Sequence, residues 1–138
     1  MLTPDEWSPS RLRDLTEQEC RGLLHEHRIG RVAWCAADGP AVLPVNYLSD
    51  GDSVLFRTSP HTQLARRFSP GPVAFEIDAF DEATRSGWSV VVRGSAELLD
   101  RDALPPPDSR PDPWAGGTRN VYVRIVVDRV TGRRLLPP

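Results

Sequence analysis

Apolar positions recur along this chain with two different periods, first a helical one and then a strand one. Cys20, Leu23 and Leu24 share one helical face. Thr16-Glu17-Gln18-Glu19 ahead of them is a capping box, with Leu15 and Cys20 placed as a hydrophobic staple. The helix is predicted to end near Arg28, before Gly30. The period then shortens. Residues 31–37 predict a buried strand, ended by Asp38-Gly39-Pro40. Residues 41–48 predict a second, ended by Asp50-Gly51, and residues 53–58 a third. Two Asp-Gly turns between such runs indicate a β-meander. Pro44 inside the second strand implies an edge, a bulge, or a gap where something else supplies the pairing.

A short helix is predicted over residues 62–68, closed by Pro70-Gly71-Pro72. Val73, Phe75 and Ile77 set one face of a fourth strand over residues 73–79, and residues 88–99 form a long fifth. Residues 104–113 hold five prolines and predict an extended loop. Val121, Val123, Ile125 and Val127 alternate along a sixth strand. Six strands, two short helices and no βαβ rhythm predict a mostly β, antiparallel fold, and closure into a barrel removes exposed edges. Residues 1–14 read as a loose N-terminal arm, with residues 15–138 as one domain.

Composition narrows the function classes. The 17 basic residues nearly balance 19 acidic ones, which argues against nucleic acid as the main partner. Every basic residue is Arg, so lysine Schiff-base chemistry is excluded. Cys20 and Cys35 do not have metal-pair spacing and read as reduced core residues. His25 and His27 flank Glu26, but two residues apart they face different sides of a helix. A polar start and the lack of a membrane-length apolar run predict a cytoplasmic protein with no membrane partner.

Candidate chemistry centres on residues 56–67, Phe-Arg-Thr-Ser-Pro-His-Thr-Gln-Leu-Ala-Arg-Arg. Thr58, Ser59 and Thr62 place three hydroxyls at a strand-to-helix turn. Taken alone, the turn reads first as a helix cap. It also suits a phosphate, with Arg57, Arg66 and Arg67 as permanent charges. Three more segments accompany it: Pro44-Val45-Asn46-Tyr47; residues 87–96, with Trp88, Ser89 and Arg93; and residues 114–119, with Trp114 and Arg119, leading to Arg124 and Thr131-Gly132-Arg133-Arg134. Read as plain structure, Trp88 and Trp114 are core or interface aromatics. On the same reading Asn46 satisfies a strand end, and Arg93 and Arg124 pair with Glu76 or Asp78.

The order and spacing of these segments, from Leu15 to Leu135, resemble the pyridoxamine 5′-phosphate oxidase-like family of flavin-binding split barrels. The resemblance implies a six-stranded antiparallel split β-barrel with short flanking helices, forming a homodimer. It implies FMN, or in some branches the deazaflavin F420 or haem, in a groove at the dimer interface. Pro44, Val45, Asn46 and Tyr47 would then lie along the flavin ring. Thr58, Ser59 and Thr62 would hold the phosphate, with Gln63, Leu64 and Arg67 in the same turn. Trp88 and Ser89 would border the cofactor, and Trp114 and Arg119 would reach across from the partner subunit. The family commonly has a basic residue where this chain has Gln63, so Arg66 or Arg67 would supply the missing charge. Alternation points Arg57 away from Thr58. The implied activity is a flavin-dependent oxidoreductase exchanging hydride with a small molecule, with His61 and Tyr47 as the proton donors at hand. A non-catalytic flavin, F420 or haem binding protein of the same fold is the alternative, and a scaffold dimer with a vestigial pocket is a third.

Overall fold

A computed structural model describes residues 11–60, 62–66 and 71–138, apart from the side chains of Gln63 and Arg66. The strands are β1 (Leu12–Asp14), β2 (Ile29–Ala36), β3 (Gly39–Ser49), β4 (Ser53–Thr58), β5 (Gly71–Asp81), β6 (Ser86–Leu98) and β7 (Val121–Leu135). The helices are α1 (Glu17–Glu26) and α2 (Gln63–Arg66). Every strand pairing is antiparallel, in the order β1-β7-β4-β3-β2-β5-β6, and β6 pairs with β7 to close the ring. The mostly β barrel expected from the sequence is the fold observed.

β7 makes closure possible because it is long. One of its edges carries β4 along Val121–Val126 and then β1 along Arg133–Leu135, while β6 follows the other. Asp128 is the extra residue of a bulge between Arg93 and Gly94 on β6, where the register shifts. β1 occupies the end of the stretch read as a loose arm, and Leu15 N–H donates to Gly132 O at 2.9 Å.

The interior is filled from all sides by Val32, Tyr47, Val54, Phe56, Phe75, Ile77, Val90, Val92, Val123 and Ile125, and α1 adds Cys20 and Leu24. The capping box predicted for α1 is present: Glu19 N–H donates to Thr16 Oγ1 and Thr16 N–H to Glu19 Oε1, both at 3.1 Å. At the other end Arg28 Nη1 donates to the carbonyls of His25 and His27. Among the described residues no helix is long and apolar enough to cross a membrane.

Two expectations change. Cys35 is exposed, because only one face of β2 turns inward. Arg93 and Arg124 do not pair with Glu76 or Asp78 among the described ion pairs. Arg31 does, at 3.0 Å and 3.4 Å, while Arg124 lies 3.9 Å from Glu97. The cause is register: Arg31 stands directly opposite Glu76 across β2 and β5.

Partial burial, together with the hydrogen bond and the repulsion from Asp78, pushes the Glu76 carboxyl up to about 7, against the opposing pull of Arg31. The folded chain therefore keeps the Glu76 proton after the unfolded chain has lost it. Stability from this group is full below its ordinary value of 4.5 and falls as pH rises towards about 7. Glu76→Gln is expected to raise the melting temperature at pH 8 and leave it unchanged near pH 4. Thermal unfolding across that range checks this.

Candidate functional site

The barrel is split between β3 and β4. Their ladder runs only from Ser49↔Val54 to Tyr47↔Phe56, while β2 stays paired with β3 along its length. Beyond Phe56, β4 remains on β7 through Thr58. Among the described residues the edge of β3 before Tyr47 therefore has no partner strand on that side, which accounts for the proline at position 44. Into this wedge comes the loop after β6, which makes 3-10 turns at Arg101–Ala103 and Pro107–Ser109. Trp114 N–H donates to Asn46 Oδ1 at 2.9 Å, and Arg57 Nε donates to Arg119 O at 2.8 Å. Side chains of β3 and β4 thus tie the loop to both lips of the split.

The wedge encloses about 220 Å³, lined by Pro44, Val45, Asn46, Arg57, Thr58, Thr62 and Arg119, with Leu43, Pro113 and Ala115. Thr58 is 2 % exposed, and its Oγ1 lies 3.0 Å from Thr62 Oγ1. Thr62 Oγ1 in turn donates to Ser59 O at 3.0 Å and accepts from Ala65 N–H at 3.2 Å. The hydroxyls therefore do brace the start of α2, as the plain reading of the turn had it. Arg119 Nε is buried and has no hydrogen-bond partner among the described residues.

Arg57 lines the same cavity as Thr58, contrary to strict alternation. At the end of β4 the sheet continues only on the β7 side, with no described β3 pairing beyond Phe56, so both border the opening. Its guanidinium also lies over the Tyr122 ring, 5.0 Å from the centroid, and that of Arg110 lies at 5.8 Å.

The remaining sequence candidates are distributed elsewhere. Tyr47 is a core residue whose hydroxyl donates to Leu24 O at 2.9 Å, and burial pushes its phenol above its ordinary value. Tyr47→Phe would leave that carbonyl buried and unpaired, at an expected cost of about 1–3 kcal/mol in urea unfolding. Leu64 packs in the core, and Ser59 contributes its carbonyl to Thr62. Trp88 is buried, its ring 4.8 Å from that of His27. Ser89 lines a separate cavity with Leu12, Phe80, Thr131 and Arg133. Within one chain neither joins the wedge. Trp114 reaches the wedge by its backbone and is 76 % exposed. Arg119 lines its own chain's cavity. His61, Arg67 and the side chains of Gln63 and Arg66 lie outside the described residues.

A split between two neighbouring strands of a closed six-strand ring defines the architecture, and comparison with known proteins agrees. The family model for pyridoxamine 5′-phosphate oxidase matches residues 16–134. The chain belongs to the pyridoxamine 5′-phosphate oxidase-like family. An uncharacterized Mycobacterium tuberculosis protein is 34% identical, over 94% of this chain and 91% of its own. A Corynebacterium glutamicum crystal structure, provisionally assigned as a pyridoxamine 5′-phosphate oxidase, is 30% identical with a TM-score of 0.75, covering 93% of this chain and 96% of that one. The FAD binding protein from Mycobacterium smegmatis is 28% identical with a TM-score of 0.68, covering 90% and 98%.

Proposed function

We propose that this split barrel binds a phosphorylated flavin, with the phosphate end in the β3–β4 wedge and the ring along the free edge of β3. The observation that carries it is the convergence of Asn46, Thr58, Thr62 and Arg119, from three separate segments, on one cavity. The donors suit a phosphate: a hydroxyl free to rotate and a buried guanidinium N–H without a partner. The FAD-binding relative supports a flavin as the ligand class. FMN is the form we favour, with F420 and haem as the other candidates.

The cavity is smaller than the roughly 300–1,000 Å³ of a typical small-molecule site, so one chain takes up only part of a flavin. A second copy completes the groove. Exposed Trp114, anchored at the cavity mouth through its amide, offers apolar surface for that copy to cover. A flavin supplies hydride chemistry when bound, and the protein binds, orients and shields it. Oxidoreduction of a small molecule is the activity we favour. A binding or sensing role is favoured by one feature: the described residues lining the wedge include no carboxylate, imidazole, thiol or phenol to move a proton.

The absorption spectrum of the purified protein, followed by titration with FMN, F420 and haem and by sedimentation, tests this. A dimer with a flavin spectrum is expected. A protein that takes up none of the three would overturn the proposal. A bound flavin that no electron donor reduces would select the binding role over the oxidoreductase.

A further inference from the structure

Arg57 and Arg119 both line the wedge, and Arg110 shares the Tyr122 ring with Arg57. None of the three belongs to an ion pair among the described residues. Arg57 and Arg110 both face the Tyr122 ring, and Arg57 Nε holds the Arg119 carbonyl. Arg110 has a local use, donating through Nε to Pro105 O at 2.8 Å. Arg119 has no such outlet among the described residues, for its Nε is buried and unpaired there. A buried donor left unpaired in a cavity that a second permanent cation also lines is costly unless an anion joins them.

From this we infer that Arg57 and Arg119 form a phosphate-binding pair within a single chain, supplying the charge that Gln63 does not. The inference rests on the flavin reading for its natural ligand, but the anion site itself is tested with inorganic phosphate, without a flavin. Arg57 and Arg119 both line the cavity that Thr58 enters, so all three can address one group. The hydrogen bond from Arg57 to the Arg119 carbonyl ties the two residues together. The stacking of Arg57 on Tyr122 fixes its plane. Two guanidinium groups lining one cavity suit the several acceptor oxygens of a phosphate. Because Arg119 serves its own chain's cavity, the phosphate end needs no residue from a partner, whereas the ring end does.

The test compares wild type, Arg119→Gln, Arg119→Lys and Arg57→Gln with FMN, riboflavin and inorganic phosphate in low-salt buffer. FMN and riboflavin differ only in the phosphate. Arg119→Gln is expected to weaken FMN by about tenfold or more, leave riboflavin within about twofold, and be partly rescued by Arg119→Lys. Inorganic phosphate is expected to shift the Arg119 Nε–Hε NMR signal in wild type, and Arg57→Gln to reduce that shift. Equal weakening of FMN and riboflavin would overturn the pair, because the loss would then be structural. An Arg119 signal indifferent to phosphate would also overturn it. If wild type binds neither flavin while phosphate still shifts Arg119, the flavin reading fails and the anion pair stands.

Discussion

Replacing Phe75 with alanine is expected to destabilise the barrel by about 3–5 kcal/mol, a large share of the roughly 5–15 kcal/mol that holds a domain of this kind. Phe75 sits on one of the two shortest seams of the ring. β2 and β5 meet over only three register pairs, Arg31↔Glu76, Val32↔Phe75 and Ala33↔Ala74. With so short a ladder, side-chain packing must carry the joint. The ring of Phe75 is fully buried, lies edge-on to Tyr47 with centroids 4.9 Å apart, and covers Gly30. A methyl at Gly30 would come within 2.3 Å of Phe75 Cζ, so the glycine exists to admit the ring. Alanine at position 75 would leave a void bordered by both strands and by Tyr47, which relaxation fills only in part. Urea unfolding of wild type and variant measures the difference. A loss below about 1 kcal/mol would mean that the seam is held by its backbone and not by this ring.

The same seam shows how the sequence encodes the fold. The alternation of Val73, Phe75 and Ile77 marks β5 and its inward face, and the Asp-Gly turns mark the meander of β2, β3 and β4. Those signals are local, so they are legible without the structure. β1 is not legible, because Leu12–Asp14 is exposed and owes its conformation to β7. The second half of β7 is hidden by Asp128, the bulged residue, which breaks the alternation just where the strand crosses Gly94. A methyl at Gly94 would lie 2.0 Å from Val126 O, so this close approach of β7 to β6 is also written in the sequence, but only as an isolated glycine. At the wedge, Asn46, Thr58 and Thr62 are legible from residue type and order. The place of Arg57 is not, since alternation holds only where a sheet continues on both sides. Nor is that of Arg119, because a proline-rich loop carries no period from which its landing point could be read.

Thr58→Val is expected to weaken FMN by about 10–100-fold while leaving the folded protein intact. Valine has the shape of threonine, so no cavity opens at the buried site. Thr62 Oγ1 would lose one donor but keep Ser59 O and Ala65 N–H, so the turn keeps its brace. Each threonine has a single hydroxyl hydrogen. That of Thr62 is committed to Ser59 O, and that of Thr58 points at Thr62. Rotation about its C–O bond lets Thr58 turn its hydrogen to an incoming phosphate while Thr62 stays in place. Thr58 is then the direct contact and Thr62 the residue that positions it. A hydrogen bond to a charged group is worth about 1.5–3 kcal/mol, which sets the expected range of affinity loss. Flavin fluorescence during titration reads the loss for FMN, and riboflavin should be unaffected. If FMN binds both proteins alike, the phosphate does not lie at Thr58. If both flavins weaken together, the variant has disturbed the wedge as a whole. Only loss confined to the phosphorylated flavin places the anion between this hydroxyl and the two arginines facing it.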